Sequence, residues 1–415
     1  MATTVLAQAR VRVPASLYTG AILVAALILR LAATILAFRR CPPAVQVHAN
    51  SEMLAVARSL AQGHGFSSPF AVASGPTAFL SPGYPLLLAG FLRLFGVSAV
   101  ALVCIVALQI LFSVLTVWLV MRLAQSCFGE PTAKIAGCIC AFSLPLATEP
   151  FWVWETCLSS LLLVALFATL LRVRTHRQWA AAGAGSAVAA LVNPALLPTL
   201  AALALWRCHR SRIIPWIAIF VFFLVYAPWP MRNLLTMHAF IPLRSNFGYE
   251  LWMGNHPGGD GNFDHRRDPE ESPEDRATFV SLGERGYMRM KTHAAVDFIR
   301  THPGTFLMLT VRRVGRFWGS EDEGVSLLTM VFSLLACAGL AMAWRRRASL
   351  VVYAIPLAIY PLPYYITHAD PRFRHVIDPL LAILAAYAIA TLATILHARL
   401  AGRSRAESAV HASVA

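Results

Sequence analysis

The sequence predicts an all-α polytopic membrane protein with about ten transmembrane helices, and three observations carry that expectation. Of its 415 residues, 58% are hydrophobic and 13% charged, too little polar surface to cover a soluble globule. The apolar residues come in runs about as long as a bilayer-spanning helix needs. Arginine clusters in the short loops between runs, as in cytoplasmic loops facing anionic lipid, whereas all but Glu130 and Glu407 of the 20 carboxylates fall on the other side. The net charge of +15 therefore reflects membrane topology, and no nucleic-acid partner is expected.

Arg10 and Arg12 precede an apolar run from Leu17 to Phe38, longer than a signal-peptide core, which reads as an anchor with its N-terminus inside. Arg30 interrupts it; a side chain there either snorkels to the interface or contacts a lipid phosphate. In the first outer loop, Met53, Ala57 and Leu60 share a helical face over Ser51 to Ala61, ended by Gly63 and Gly65, which suggests an interfacial helix. Phe79, Pro82, Tyr84 and Pro85 lead the chain back, and Arg93 closes a short helix. Val97 to Leu123, Ala133 to Thr148 and Phe151 to Leu171 give the next spans. Trp179 to Trp206, as one crossing, would put the basic loop from Trp206 to Arg212 outside. Asn193-Pro194 splits it into two helices that go out and return, because the residue before a proline disfavours helix.

Ile213 to Trp229 exits again. In the polar stretch that follows, Ser272-Pro273-Glu274-Asp275 resembles a helix start and His302-Pro303-Gly304 a stop. Val325 to Ala343 and Leu350 to Ile366 flank Arg345, Arg346 and Arg347, and Val376 to Leu396 is the last span. The chain thus divides into an N-terminal transmembrane module (1–230, first outer loop 39–81), an extracytoplasmic loop domain (231–324), C-terminal transmembrane helices (325–397) and a basic cytoplasmic tail (398–415). The expected location is a plasma (inner) membrane, with both termini cytoplasmic and the active site extracytoplasmic.

A carboxylate near lipid is expensive, so Glu52, Glu149 and Glu155 are functional candidates. Glu52 opens its helix, where the helix N-terminus stabilises an anion; it is either a base for an attacking hydroxyl or a solvated first-turn acid. Other scans exclude chemistry. Most of the eight cysteines lie in apolar runs, so no disulfide framework is expected, and Cys138 and Cys140 lack two further metal ligands. The histidines lack zinc spacing, and neither a P-loop nor a GxSxG element occurs. Gly183 and Gly185 read as close helix packing.

Seven stretches carry a resemblance. "ARSLAQGHGF" (Ala57 to Phe66) with "SPGYPLLLAGFLRLFG" (Ser81 to Gly96), "WETCLSSLLL" from Trp154 and "ALVNPALLPTLAALALW" from Ala190 come first. "APWPMRNLLTMHAFIPLRSNFGYELWMGNHPGGDG" from Ala227, "FIRTHPGTFLMLTVRRVGRFW" from Phe298 and "ADPRFRHVIDPLLAILAAY" from Ala369 follow in order. Together they resemble polyprenyl-phosphate-sugar-dependent glycosyltransferases of the C-type membrane fold (GT-C), which include protein O-mannosyltransferases and the aminoarabinose transferase of lipid A. One departure stands out: members usually carry an Asp where this chain has Ala49.

The resemblance implies transfer of a sugar from a polyprenyl-phosphate donor to an acceptor hydroxyl (glycan, lipid or protein) on the extracytoplasmic face, with inversion. No cofactor is implied beyond the lipid-linked donor, and divalent-metal dependence stays open. Glu52 is the expected base and Glu155 a second catalytic carboxylate, or a buried acid paired with an arginine such as Arg232. Arg232, Arg372 and Arg374 are expected to hold the phosphate, or else to snorkel. Tyr84 is a further substrate-binding candidate, and Asn255 and His256 either touch sugar or simply form a turn. A flippase of lipid-linked sugars and a catalytically silent relative are the competing readings; only one broken helix, at Asn193-Pro194, speaks for the flippase.

Overall fold

The computed structural model describes residues 17–49, 51–70, 72–211, 215–321, 324–346 and 352–414. Arg10, Arg12, Asn50, Arg212 and Arg347 lie outside the described residues. The described residues are mostly helical, with one short antiparallel ribbon among them, Ser320–Glu321 against Gly324–Val325. After α1 (Leu17–Arg40), the first loop carries α2 (Pro43–Gln46) and α3 (Glu52–Ala61) and returns through α4 (Gly83–Phe95) to α5 (Ala99–Phe128). Next come α6 (Glu130–Phe142), α7 (Leu144–Thr148), α8 (Thr156–Arg172), α9 (His176–Val192) and α10 (Leu196–Ser211). The second half holds α11 (Trp216–Tyr226), α12 (Pro228–Met237), α13 (Phe247–Gly254), α14 (Pro273–Thr301), α15 (Pro303–Gly319) and α16 (Leu327–Arg346). It ends with α17 (Ala354–Ile359), α18 (Leu362–Ile366), α19 (Pro371–His375) and α20 (Asp378–Val414).

Among the described residues the apolar runs are mostly helical, but the expected ten crossings are not reached by length. Among the described residues 5 helices are long and apolar enough to cross a membrane, or 6 if α6 and α7, bent by 59°, count as one span. The shortfall comes from breaks inside the runs. Asn193 leaves helical conformation at the end of α9, and Tyr360-Pro361 separates α17 from α18. The Asn193 amide donates to Ser159 at the start of α8, while Arg207 near the end of α10 donates to the Val173 carbonyl just past the end of α8. Because α9 starts where α8 ends, α9 and α10 form a hairpin running up and back along α8. Gly183 lets α11 approach α9 closely: a Cβ there would sit 2.2 Å from the Ala218 carbonyl oxygen.

Arg30 does not snorkel. It is 1% exposed, its Nε donates to Ser113, and its terminal nitrogens donate to the carbonyls of Ala26, Cys140 and Ala141. The last carbonyls of a helix have no partner within it, and lipid offers none. Arg30 supplies that partner where α6 breaks at Ser143.

Two apolar cores result. One joins α5, α6, α8 and α20 through residues such as Val120, Phe167 and Ile383. The other joins the first loop to the polar stretch after α12: Met53, Leu54, Phe66 and Phe79 pack with Tyr249, Phe279 and Tyr287. The segment 231–324 therefore shares its core with the first loop. Ser272 caps α14 by accepting from the Asp275 amide at 3.2 Å, α14 kinks at Gly283 (φ 65°), and Pro303 opens a new helix.

Replacing Arg30 with Leu should cost about 3 kcal/mol, since it strands a buried hydroxyl and two helix-end carbonyls. Thermal unfolding in detergent measures this; an unchanged midpoint would show that α6 ends without needing that partner.

Candidate functional site

A cavity of about 1440 Å³ lies between the first loop, the α13–α14 segment and the α18–α20 stretch. Its wall includes Glu52, Glu149, Glu155, Arg372 and Arg374, so five of the nine residues singled out from sequence meet in one space. Phe142, Leu144, Leu328 and Phe332 give it an apolar arm.

Its acidic end is built by three segments. Glu52 opens α3, and Asp268 and Glu270 come from the loop before α14; one carboxylate oxygen from each lies within 4.8 Å of the others. Burial pushes Glu52 up to about 7, reinforced by Asp268 and opposed by Arg372. Burial and the Glu52 charge push Glu270 up to about 8, and burial raises Asp268 as well. Like charges this close do not all ionise without a proton or a cation between them. Three hard oxygen donors are the kind of set that holds Mg²⁺ or Mn²⁺. Ala49, where the resembling families carry Asp, is exposed outside this cluster, and its carbonyl accepts from Arg58.

The cationic side comes from α19. Arg372 lies 4.0 Å over the Trp154 ring and 3.1 Å from Asp370. Burial opposes its charge, but Asp370, Glu155, Glu52 and Glu250 around it raise its pKa. Arg374 Nε donates to Asp378 at 2.9 Å, and His375 hydrogen-bonds Glu149. Burial opposes a charge on His375; the bond to Glu149 outweighs it and raises the pKa. Arg372, Arg374 and His375 are thus each paired with a carboxylate, which holds the side chain in place.

The other four candidates stand elsewhere. Arg232 donates to the carbonyls of Thr77 and Phe66, each at 2.6 Å, and packs on Phe66 and Trp229. It ties the first loop to α12 and is not among the residues lining the cavity. Glu155 is accordingly not its partner. Tyr84 is fully buried behind the wall, in the first-loop core. Asn255 donates to the carbonyls of Leu251 and Ile366 and accepts from Arg313, a lock between α13 and α18. His256 is buried with its Nδ1 at the Pro257 carbonyl, 3.1 Å away.

No protein-family profile matches the chain, and no curated protein matches its sequence. Solved structures do. The oligosaccharyltransferase of Archaeoglobus fulgidus in the apo form superposes with a TM-score of 0.56 at 15% identity, covering 94% of this chain and 52% of that one. The archaeal oligosaccharyltransferase AglB from the same organism, in complex with an inhibitory peptide and a dolichol-phosphate, gives 0.53 at 14% identity over 94% and 52%. The A. fulgidus enzyme complexed with Zn and sulfate gives 0.53 at 16% over 92% and 50%. The chain has the GT-C membrane fold. It spans about half the length of these neighbours.

Within this GT-C fold, sequence reading missed Asp268, Glu270, His375 and His368. Asp268 and Glu270 sit in an acidic stretch that looks solvated, and only the packing of the first loop onto it reveals the cluster. His375 follows Arg374 directly, and its charge-bearing company was a usable signal.

Stability should fall as pH rises from about 4.5 to 8. A carboxyl whose folded pKa is raised holds its proton in the native state where the unfolded chain has released it, so its contribution is full below the unfolded value and lost above the folded one. Glu270→Gln should shrink the drop in unfolding midpoint between pH 5.5 and pH 8.5 by about 2 °C or more. An identical drop in the variant would remove Glu270 from the coupled cluster.

Proposed function

We propose that this protein is an integral membrane glycosyltransferase that moves a sugar from a polyprenyl-phosphate donor to an acceptor hydroxyl on the extracytoplasmic side, with inversion. The observation that carries this reading is one cavity in which a raised-pKa acid, Glu52, faces a cationic helix, α19, beside an apolar arm. The volume of about 1440 Å³ exceeds the roughly 300–1,000 Å³ of ordinary small-ligand pockets, in keeping with a lipid-linked substrate. The GT-C fold, and the dolichol-phosphate and acceptor peptide named in neighbouring structures, support the same class of donor.

In this mechanism Glu52 takes the proton of the acceptor hydroxyl as its oxygen bonds to the anomeric carbon. The bond from that carbon to the phosphate oxygen breaks, and its electron pair leaves on the phosphate, whose charge Arg372 and Arg374 hold. Attack opposite the leaving phosphate inverts the anomeric centre. Glu155, beside Arg372 in its field, keeps that guanidinium charged and oriented. If a divalent cation occupies the acidic end, Glu52, Asp268 and Glu270 would be its ligands, and it would add positive charge for the departing phosphate.

The test is purified protein with radiolabelled polyprenyl-phosphate sugars and candidate acceptors. Glu52→Gln should lower kcat by about 10²- to 10⁴-fold with donor binding retained, and wild-type kcat should rise with pH through about 7. Transfer by Glu52→Gln at the wild-type rate would discard the base assignment. A wild type that moves lipid-linked sugar across vesicles but transfers none would make the protein a flippase. Chelation that abolishes transfer would assign Glu52 to a cation; full activity in chelator would keep it as the base. Arg372→Ala should weaken donor binding by about 10-fold or more, through loss of charge-assisted hydrogen bonds, as measured with unglycosylated polyprenyl phosphate.

A further inference from the structure

His368 lies in the short link between α18 and α19 and forms part of the cavity wall. It is 3% exposed, and neither ring nitrogen has a hydrogen-bond partner. Such groups in native proteins are rare, and each calls for an explanation. Oε2 of Glu250 lies 3.3 Å from Nδ1 but makes no hydrogen bond with it. The other oxygen of Glu250 accepts from Asn246 Nδ2 at 2.6 Å, which leaves Oε2 turned toward the histidine. Phe263 and Phe373 hold the imidazole edge-on, with ring centroids 5.1 and 5.3 Å away.

The position of this pair is fixed from behind. Arg313, fully buried, donates to the carbonyls of Tyr365 and Gly254 and to Asn255 Oδ1. Asn255 in turn donates to the Ile366 carbonyl. Gly254 lies so close to the link that a Cβ would stand 1.7 Å from the Thr367 carbonyl oxygen. The helix that carries Glu250 and the link that carries His368 are therefore locked together; Glu250 Oε1 is held by Asn246 and lies 3.8 Å from Arg244, while Glu250 Oε2 and the His368 ring nitrogens are left for something in the cavity.

We propose that His368 and Glu250 form the subsite for the transferred sugar, binding ring hydroxyls of the donor. This rests on the transferase reading and deepens it. A neutral imidazole offers one N–H donor and one acceptor, and a carboxylate offers acceptors only. A vicinal pair of hydroxyls satisfies both, whereas a phosphate oxygen would face the Glu250 carboxylate. Phe263 and Phe373 add apolar faces of the kind that pack against sugar C–H groups. The subsite stands within the fields of both Arg372 and Glu52: Glu250 acts on both groups, and Arg372 acts on His368. That is where a sugar lies between a phosphate holder and a base.

The experiment compares binding of unglycosylated polyprenyl phosphate with that of polyprenyl phosphate carrying glucose, mannose, galactose, N-acetylglucosamine or arabinose. The proteins are wild type and His368→Phe, an apolar ring that keeps the packing on Phe263 and Phe373. Wild type should bind at least one glycosylated lipid about tenfold or more tighter than the bare lipid phosphate. His368→Phe should lose that margin and keep wild-type affinity for the bare lipid, which also shows that it is folded. Glu250→Gln, which keeps shape and hydrogen bonding but not charge, should lose part of the margin. A margin unchanged in His368→Phe, a variant that weakens both ligands equally, or a wild type that binds bare and glycosylated lipid alike would overturn the subsite while leaving the phosphate site standing. A wild type that binds none of them overturns the transferase reading, and the subsite with it.

Discussion

The structure depends on buried and half-buried guanidinium groups that satisfy broken backbone. A helix that stops inside or beside a membrane leaves carbonyls that lipid cannot hydrate, so irregular main chain survives only where protein supplies donors. Arg30 does this for the end of α6, Arg232 for the first loop at Phe66 and Thr77, and Arg313 for the turn at Gly254 and the end of α18. An arginine suits the task because its planar fork carries five donors and reaches two or three carbonyls at once. Glu284 is the acidic counterpart, accepting from Thr77, the Ala78 amide and Ser245. These contacts fix where the first loop sits, and hence where Glu52 points.

Charge in the cavity is arranged unevenly. At the acidic end, three carboxylates share a small space with no cation at bonding distance among the described residues, and their protonation is correspondingly resisted less than their ionisation. On α19, by contrast, Arg372, Arg374 and His375 each have their own carboxylate. Pairing of this kind orients a side chain more than it stabilises a fold, because desolvation offsets much of the attraction. A bound anion would exchange one partner for another at positions already set. The cavity is in this sense preorganised for negative charge at one end and for proton or cation exchange at the other.

Much of the helical layout was legible because hydrophobic run length and proline position act locally. Asn193-Pro194 split a long run as expected, and Ser272 capped α14 in the position its motif specified. The number of crossings was less legible: Pro145 removes the N–H that would have bonded the Ala141 carbonyl and so breaks the run after Phe142, but that Arg30 arrives from α1 to meet the freed carbonyl is not written in the spacing. For the site, Glu52, Glu155, Arg372 and Arg374 were readable as charges at the edges of apolar segments. Arg232, Asn255 and His256 have the same outward signature. What separates them is whether a backbone carbonyl or a cavity lies within reach of the side chain, and spacing along the chain holds no information on that.

By itself the sequence determined the class of solvent each segment meets, and with it the helices, most of their ends and the short list of charges near lipid. These follow from local periodicity and from the cost of placing charge in hydrocarbon. Only the tertiary structure decided which of those charges meet. Asp268 and Glu270 join Glu52, and Glu250 faces His368, because long-range packing of the first loop, α13 and the α18–α19 link closes one cavity. Contacts between residues so far apart in the chain are set by the shape of the whole core, which no short stretch of it encodes.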